Sequence, residues 1–248
     1  ASNQYKKAKM RYPNVCGSGL FMEAIEQNPV YYDLAFEMPN HADSIRLREW
    51  LAAYAERRYG AKSAAAVQAW MYLLEGPYRK GTNGTERSSI VAARPALNVK
   101  KSGPNAGLGI PYDPMLVIRA QSALLKDADR LALSRPYRFD IVDVQRQMMT
   151  NLGQLVHKKA AEAFTAKDKV AFALHSGRFL GLLKDMDELL YTRSEYSFDR
   201  WLTEARSWGE TEEEKDLMER DATSLVTIWG ADGDPRIFDY SWREWSGL

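Results

Sequence analysis

The chain has 248 residues, 45% hydrophobic and 11% aromatic, enough to bury a substantial core and too apolar for a disordered chain. Its 34 basic and 33 acidic side chains leave a formal charge of +1, with no basic excess that would mark a nucleic-acid footprint. One cysteine excludes an internal disulfide or a cysteine-based zinc site, and no apolar run approaches the roughly 18 residues of a membrane span.

The chain opens Ala1-Ser2-Asn3-Gln4-Tyr5-Lys6-Lys7, with neither an initiator Met nor a targeting signal, and reads as a sequence entered midway. Next comes Cys16-Gly17-Ser18-Gly19-Leu20-Phe21-Met22-Glu23, a glycine-spaced extended segment. Glycines let a backbone approach a ligand or turn where a Cβ would clash, and barrel enzymes carry catalytic carboxylates at strand ends. An ordinary surface turn before a helix has the same spacing, so the segment alone leaves both readings open.

Asn28-Pro29 starts a helix, a polar N-cap followed by proline, with Val30, Leu34 and Met38 on one face. A second helix is expected from about Ser44 to a stop at Gly60, its stripe formed by Ile45, Leu47, Trp50, Leu51 and Tyr54. Ser63 caps a third, with Val67, Trp70, Met71 and Leu74 inward. Residues 76–111 are rich in glycine and proline and lack periodicity; so long an irregular segment is either functional or a solvent loop.

Helical spacing resumes at Pro114 with Met115, Ile118, Leu124 and Leu125. Residues 138–165 predict a long helix burying Ile141, Val144, Met148, Leu152, Leu155, Val156 and Ala160. Lys167-Asp168 breaks it, and residues 170–191 return through Phe172, Leu174, Phe179, Leu182, Leu183, Met186 and Leu190. Two antiparallel helices of this length imply a bundle. Shorter helices follow over 198–207 and from Thr211-Glu212-Glu213-Glu214, whose acids suit a helix N-terminus. No alternation of period two persists long enough after residue 40 to make a sheet.

Among the acids, Glu23 is better placed than Glu26 because the glycines set it at the strand end. A glycosidase needs a second carboxylate, and no other acid has comparable context. Asp140 and Asp143 read as exposed charges on the long helix. Ser18 lacks the full nucleophile elbow, Cys16 lacks a local base, and His41, His157 and His175 show no metal-ligand spacing. Neither a metal nor a cofactor is therefore expected. At the C-terminus Trp229, Phe238, Tyr240, Trp242 and Trp245 crowd around a Gly/Asp/Pro turn. They suit either stacking on a sugar or packing on the bundle, and the spacing of Trp242 and Trp245 favours packing.

Taken together these stretches resemble the alpha-N-acetylglucosaminidases, glycoside hydrolase family 89. The match is carried by Gly17 to Glu23 with Ile25 and Gln27-Asn28, by Trp50 to Gly60 ending Ala55-Glu56-Arg57-Arg58-Tyr59-Gly60, and by Leu225 to Tyr240. Arg94-Pro95-Ala96-Leu97 and the long helix pair fall in order between them. The resemblance implies a retaining exo-hydrolase that removes terminal alpha-linked N-acetylglucosamine, with a nucleophilic Glu and a separate acid/base Glu on a (β/α)8 barrel followed by an all-α domain. Glu23 matches the nucleophile, while Trp229, Ile237 and Tyr240 match residues walling the sugar pocket. Two departures stand out: Met22 replaces a proline, and the spacing from Trp229 to Ile237 is one residue longer.

The expected fold is therefore mainly α, an all-α helical bundle over residues 41–248 preceded by a short barrel remnant over 1–40. Its expected partners are terminal alpha-N-acetylglucosamine glycans and the N-terminal barrel of the same protein, with neither nucleic acid nor membrane. The family implies a secreted, periplasmic or lysosomal setting. The acid/base Glu would lie upstream, so the chain alone is expected to be inactive. The alternative is a helical carbohydrate-binding or scaffold module without catalysis.

Overall fold

A computed structural model describes residues 4–20, 28–41, 44–79, 87–93, 96–100 and 107–227. The described residues form an α-helical body, as the spacing of apolar residues predicts. The elements are α1 (Gln4–Arg11), α2 (Pro29–Glu37), α3 (Leu47–Tyr59), α4 (Ala64–Glu75), β1 (Arg87–Ser88), β2 (Gly107–Leu108), α5 (Met115–Leu125), α6 (Ala128–Leu131), α7 (Arg135–Thr165), α8 (Lys169–Tyr191), α9 (Phe198–Arg206) and α10 (Glu212–Thr227). The strands are a two-residue parallel pair, Arg87 beside Gly107 and Ser88 beside Leu108.

Local chemistry sets several helix ends. Gly60, at φ 72°, ends α3 in the left-handed conformation and its N–H bonds the Glu56 carbonyl at 2.9 Å. Ser63 accepts from the Ala66 N–H at 2.9 Å and so caps α4; Asp168 does the same for α8 with the Ala171 N–H. At α10 the Thr211 hydroxyl accepts from the Glu214 N–H while the Glu214 carboxylate accepts from the Thr211 N–H, a reciprocal capping box. The helix predicted from Ser44 starts three residues later, because Arg46 is extended and serves as its N-cap. Helix α1 was not expected: its residues lack an apolar stripe and are mostly exposed. Residues 15–20, read as the approach to a barrel strand, have no regular secondary structure. A barrel strand takes its ladder from neighbouring strands, and among the described residues β1 and β2 pair only with each other.

The main core joins α2, α3, α4, α5 and the first half of α7. Trp50 stacks on Tyr54 at 5.2 Å between ring centroids, Tyr54 meets Trp70 edge-on at 5.1 Å, and Trp70 stacks on Tyr78 at 6.3 Å. Val117, Ala120 and Leu124 of α5 and Val30 of α2 close around this aromatic row. A smaller cluster, Val142 and Met149 with Leu182, Met186 and Leu190, joins α7 to the antiparallel α8.

Three expected core positions are corrected here. Leu152, Leu155 and Leu174 are about half exposed. The seam between α7 and α8 uses small residues instead: Gly153, Ala160 and Ala163 are buried on α7. A Cβ on Gly153 would stand 3.1 Å from both Leu182 Cδ2 and Val91 Cγ1, so glycine lets α8 and the single turn Ile90–Ala92 close on α7 together. Period alone located an apolar face but not the side of it that the partner helix takes. Among the described residues no helix is long and apolar enough to cross a membrane.

Candidate functional site

Glu23, Trp229, Ile237 and Tyr240 all lie outside the described residues. The structure does describe the ground next to them along the chain. Asn28 follows the Glu23-bearing stretch and opens α2, and α10 ends at Thr227, two residues before Trp229.

The chemistry-bearing groups that the structure brings together belong to α7. Asp140, Asp143, Gln147 and Asn151 follow one another at intervals of three and four residues, a polar stripe about 16 Å long. Asp140 is buried. It accepts a two-pronged contact from Arg58, with Nε at 2.5 Å and Nη2 at 2.7 Å, and a third bond from the Tyr59 hydroxyl at 2.9 Å. The Trp70 indole N–H donates to that same hydroxyl at 3.1 Å. Asp143 accepts from Arg146 Nη2 at 2.7 Å and from the Tyr196 hydroxyl at 3.0 Å; the Tyr196 ring stacks on Phe139. Gln147 Nε2 donates to the Tyr112 hydroxyl and to Asn151 Oδ1, both at 3.1 Å. Tyr112 is thereby tied, where it ends the long irregular segment, to the middle of α7.

The exposed reading of Asp140 and Asp143 is corrected by this arrangement: the Asp140 side chain is 7% exposed and that of its partner Arg58 14%. The stripe does not face solvent because Val142 and Val144 beside it also pack into the core. Polar residues at helical spacing flanked by buried apolar ones are the signal that could have found it. Arg58, in the stretch Arg57-Arg58-Tyr59-Gly60, is the partner that sequence spacing could not supply.

Electrostatics follow from enclosure. Burial pushes the Asp140 carboxyl up, while the hydrogen bonds and charge of Arg58 and the Tyr59 hydroxyl oppose that shift. Burial works against charge on Arg58 as well, yet Asp140 outweighs it and holds the guanidinium protonated. Arg146 is held in the same way against burial by Asp143. The phenols of Tyr59 and Tyr196 are pushed up, first by burial and then by the adjacent carboxylates, so both remain neutral donors.

An open cleft enclosing ≈ 460 Å³, solvent mouth included, runs along this stripe. Asp140, Asp143, Arg146 and Gln147 line one side, with Trp70, Tyr78 and Asn28 among the other lining residues. Asn28 is the N-cap of α2, yet its side chain makes no capping bond. The two aspartates are committed to arginines and Gln147 to its neighbours, so neither carboxylate stands as a free acid or base. The cleft fits a fixed wall better than a reacting centre. Cys16 is exposed, His41 Nε2 lies 3.2 Å from Glu37, and His157 Nε2 lies 3.0 Å from the Ala96 carbonyl. Among the described residues no group of histidines, cysteines and acids could hold a metal ion.

Comparison with known proteins places this helical body. The family model of the alpha-N-acetylglucosaminidase (NAGLU) C-terminal domain matches residues 50–248. The chain belongs to this family. Human alpha-N-acetylglucosaminidase is 33% identical over 256 residues, an alignment that covers 100% of this chain and 33% of the human protein. A family 89 glycoside hydrolase from Clostridium perfringens, solved in complex with 2-acetamido-1,2-dideoxynojirmycin, superposes with a TM-score of 0.91 at 32% identity, covering 99% of this chain and 28% of its own. A form of the Clostridium perfringens protein with two glutamates changed to glutamine, solved with its substrate GlcNAc-alpha-1,4-galactose, gives 0.89 at 30% identity, covering 96% of this chain and 28% of its own. The chain thus spans about a third of the length of the human relative. Alpha-N-acetylglucosaminidase family members are glycoside hydrolases, and this chain is a glycosidase-related segment whose helices match their C-terminal domain.

Proposed function

We propose that these residues form the C-terminal part of a retaining exo-glycosidase that hydrolyses terminal alpha-linked N-acetylglucosamine from glycans. The observation that carries this reading is the near-complete superposition, over 99% of the chain, on a glycoside hydrolase solved with an acetamido-sugar analogue. Residues 1–40 would close a catalytic barrel and residues 41–248 form the helical domain beside it. Glu23 is the nucleophile, and Trp229, Ile237 and Tyr240 wall the sugar.

In a retaining mechanism the Glu23 carboxylate attacks the anomeric carbon as the leaving-group oxygen takes a proton from a second glutamate. Water then attacks the resulting glycosyl ester, giving its proton to that second glutamate and freeing Glu23. The glutamine changes in the relative solved with its substrate are of the kind that disables two such carboxylates. No second acid in these residues has a context comparable to that of Glu23, so the 248-residue chain by itself is expected to leave p-nitrophenyl alpha-N-acetylglucosaminide uncleaved. Measurable release of p-nitrophenol by the purified chain would overturn that expectation. In the full-length protein Glu23→Gln abolishes turnover while leaving the far-ultraviolet circular dichroism unchanged. Near-normal turnover in that variant would remove Glu23 from the role.

A further inference from the structure

Helix α8 turns Leu182, Met186 and Leu190 to α7 and leaves a distinctive face outward. Ala173, Gly177 and Gly181 recur on that face every four residues, and all three are exposed. A Cβ added to Gly177 or Gly181 would meet nothing within 4 Å, so no described residue packs against either. Glycine is, after proline, the costliest residue in a helix interior, and nothing within this chain requires it at these two positions. Large apolar side chains rim the same face: Val170 is 82% exposed, Leu180 65% and Leu174 50%. Leu174 and Leu180 stand three residues before and after Gly177, which places them on opposite sides of it. A strip of small residues with a leucine on each side is the relief that lets another helix approach closely.

Charge points to the helix that fits. Beyond its Asp168 cap, α8 is charged against its own dipole: the first turn holds Lys169 and no acid, and the last turn holds no base. Asp185, Asp187 and Glu188 gather toward the C-terminal end, where Lys184 is already paired with Glu188 at 3.8 Å. Lys169, Asp185 and Asp187 are exposed and form no ion pair among the described residues. Lys169 and Asp187 are five full turns apart, so they share one line of the helix, about 27 Å from each other, and cannot meet within one copy. A basic start and an acidic end on one line match a second α8 running the opposite way.

We propose that two copies of this chain associate through α8, antiparallel about a twofold axis at Gly177. The axis sets Gly177 against its own counterpart. It brings Leu174 of each copy beside the Gly181 notch of the other, and Leu180 beside Ala173. Lys169 of each copy then stands level with position 185 of the other, within two residues of Asp187. Each contact occurs twice, as in any isologous pair. Burial of the leucines and of Val170 drives the association, and the charges select the antiparallel direction. None of this depends on the assignment of Glu23.

The test is sedimentation equilibrium of the full-length protein over a wide range of concentration, with a reversible monomer–dimer equilibrium expected. Gly177→Leu sets two leucines against each other on the axis and raises Kd by about tenfold to a hundredfold. Leucine is a better helix former than glycine and its Cβ meets open space, so the unfolding midpoint of the dilute, dissociated variant stays level or rises. Asp187→Lys places like charges together at both ends of the interface and weakens association by about threefold to tenfold. Adding Lys169→Asp restores it, a rescue that can run only between copies. A monomer or an odd-numbered assembly at every concentration overturns the proposal, as does association untouched by Gly177→Leu or a charge reversal without rescue. A lowered unfolding midpoint in the dilute Gly177→Leu variant also overturns it, because another part of the same polypeptide then covers this face.

Discussion

Helix α7 passes through two different environments. Its first half is embedded, with Tyr137, Asp140 and Val144 buried against α3, α4 and α5. Its second half packs mainly on α8, and large apolar side chains remain in water there: Leu152, Leu155 and Phe164 on α7, Val170, Leu174 and Leu180 on α8. Beyond the hairpin, α9 and α10 are joined by an exposed charge cluster in which Arg206 meets Asp216 and Glu219, each at 2.6 Å, and Glu212 at 3.1 Å. The embedded end thus spends a buried ion pair and an aromatic row on placement, while the distal end uses solvated charge and a seam of small residues. Placement is concentrated at the end that shares a cleft with Asn28, the entry to α2.

The largest expected effect tests that contrast directly. Asp140→Asn leaves Arg58 buried without its counter-charge and is expected to destabilise the chain by about 3–5 kcal/mol in denaturant unfolding. Arg206→Met removes a guanidinium from three carboxylates yet is expected to leave the unfolding midpoint nearly unchanged, because water screens that cluster. Equal losses from the two substitutions would break the distinction between the ends.

What the sequence revealed divides along the same line. Gly60, Ser63 and Asp168 were legible because each acts on backbone within a few residues. The hairpin of α7 and α8 was legible from apolar period alone. Asp140 was not, since Arg58 lies 82 residues away and nothing local distinguishes a buried carboxylate from a solvated one. Leu152 and Leu155 misled because periodicity counts apolar residues, whereas the partner helix docks where Gly153 lets it come close. Helix α1 lacked any periodic stripe. Glycine spacing singled out Glu23 and aromatic crowding Trp229 and Tyr240, while their roles, and Ile237, came from family resemblance; all four lie outside the described residues, which include only their chain neighbours Asn28 and the end of α10.

A smaller effect is expected from acid at the α2–α3 junction. Glu37 accepts from the Trp50 indole at 2.7 Å, His41 Nε2 lies at 3.2 Å and Arg57 at 3.3 Å. Burial pushes its carboxyl up, but these partners together outweigh it and hold it below the ordinary 4.5. A lowered folded value means that the unfolded chain binds the proton first on acidification. The stabilising contribution is therefore complete above about pH 4.5 and is lost as pH falls through the folded value. Glu37→Gln should flatten the dependence of stability on pH below that point, measured by urea unfolding across acidic buffers. An unchanged slope would show that the junction contributes nothing to acid sensitivity, and would weaken the view of α2 as firmly docked.

The smallest effect sharpens the account of the distal end. Lys167 sits at φ 59°, the left-handed conformation, between α7 and α8. The Asp168 N–H bonds the Ala163 carbonyl and the Lys167 N–H bonds the Phe164 carbonyl, both at 3.0 Å, the paired closure that usually takes glycine at this position. A side chain there costs about 1–2 kcal/mol of steric strain, while glycine gives back part of that through the freedom of the unfolded chain. Lys167→Gly should therefore raise stability by about 0.5–1 kcal/mol. Where the gain registers matters more than its size. If the hairpin tip unfolds with the embedded end, the global denaturation midpoint rises. If the tip opens on its own, hydrogen exchange slows at Phe164 to Phe172 while the global midpoint stays put. The exposed leucines and the small residues of the distal half favour local opening, and slow exchange throughout the tip of the unaltered chain would contradict it.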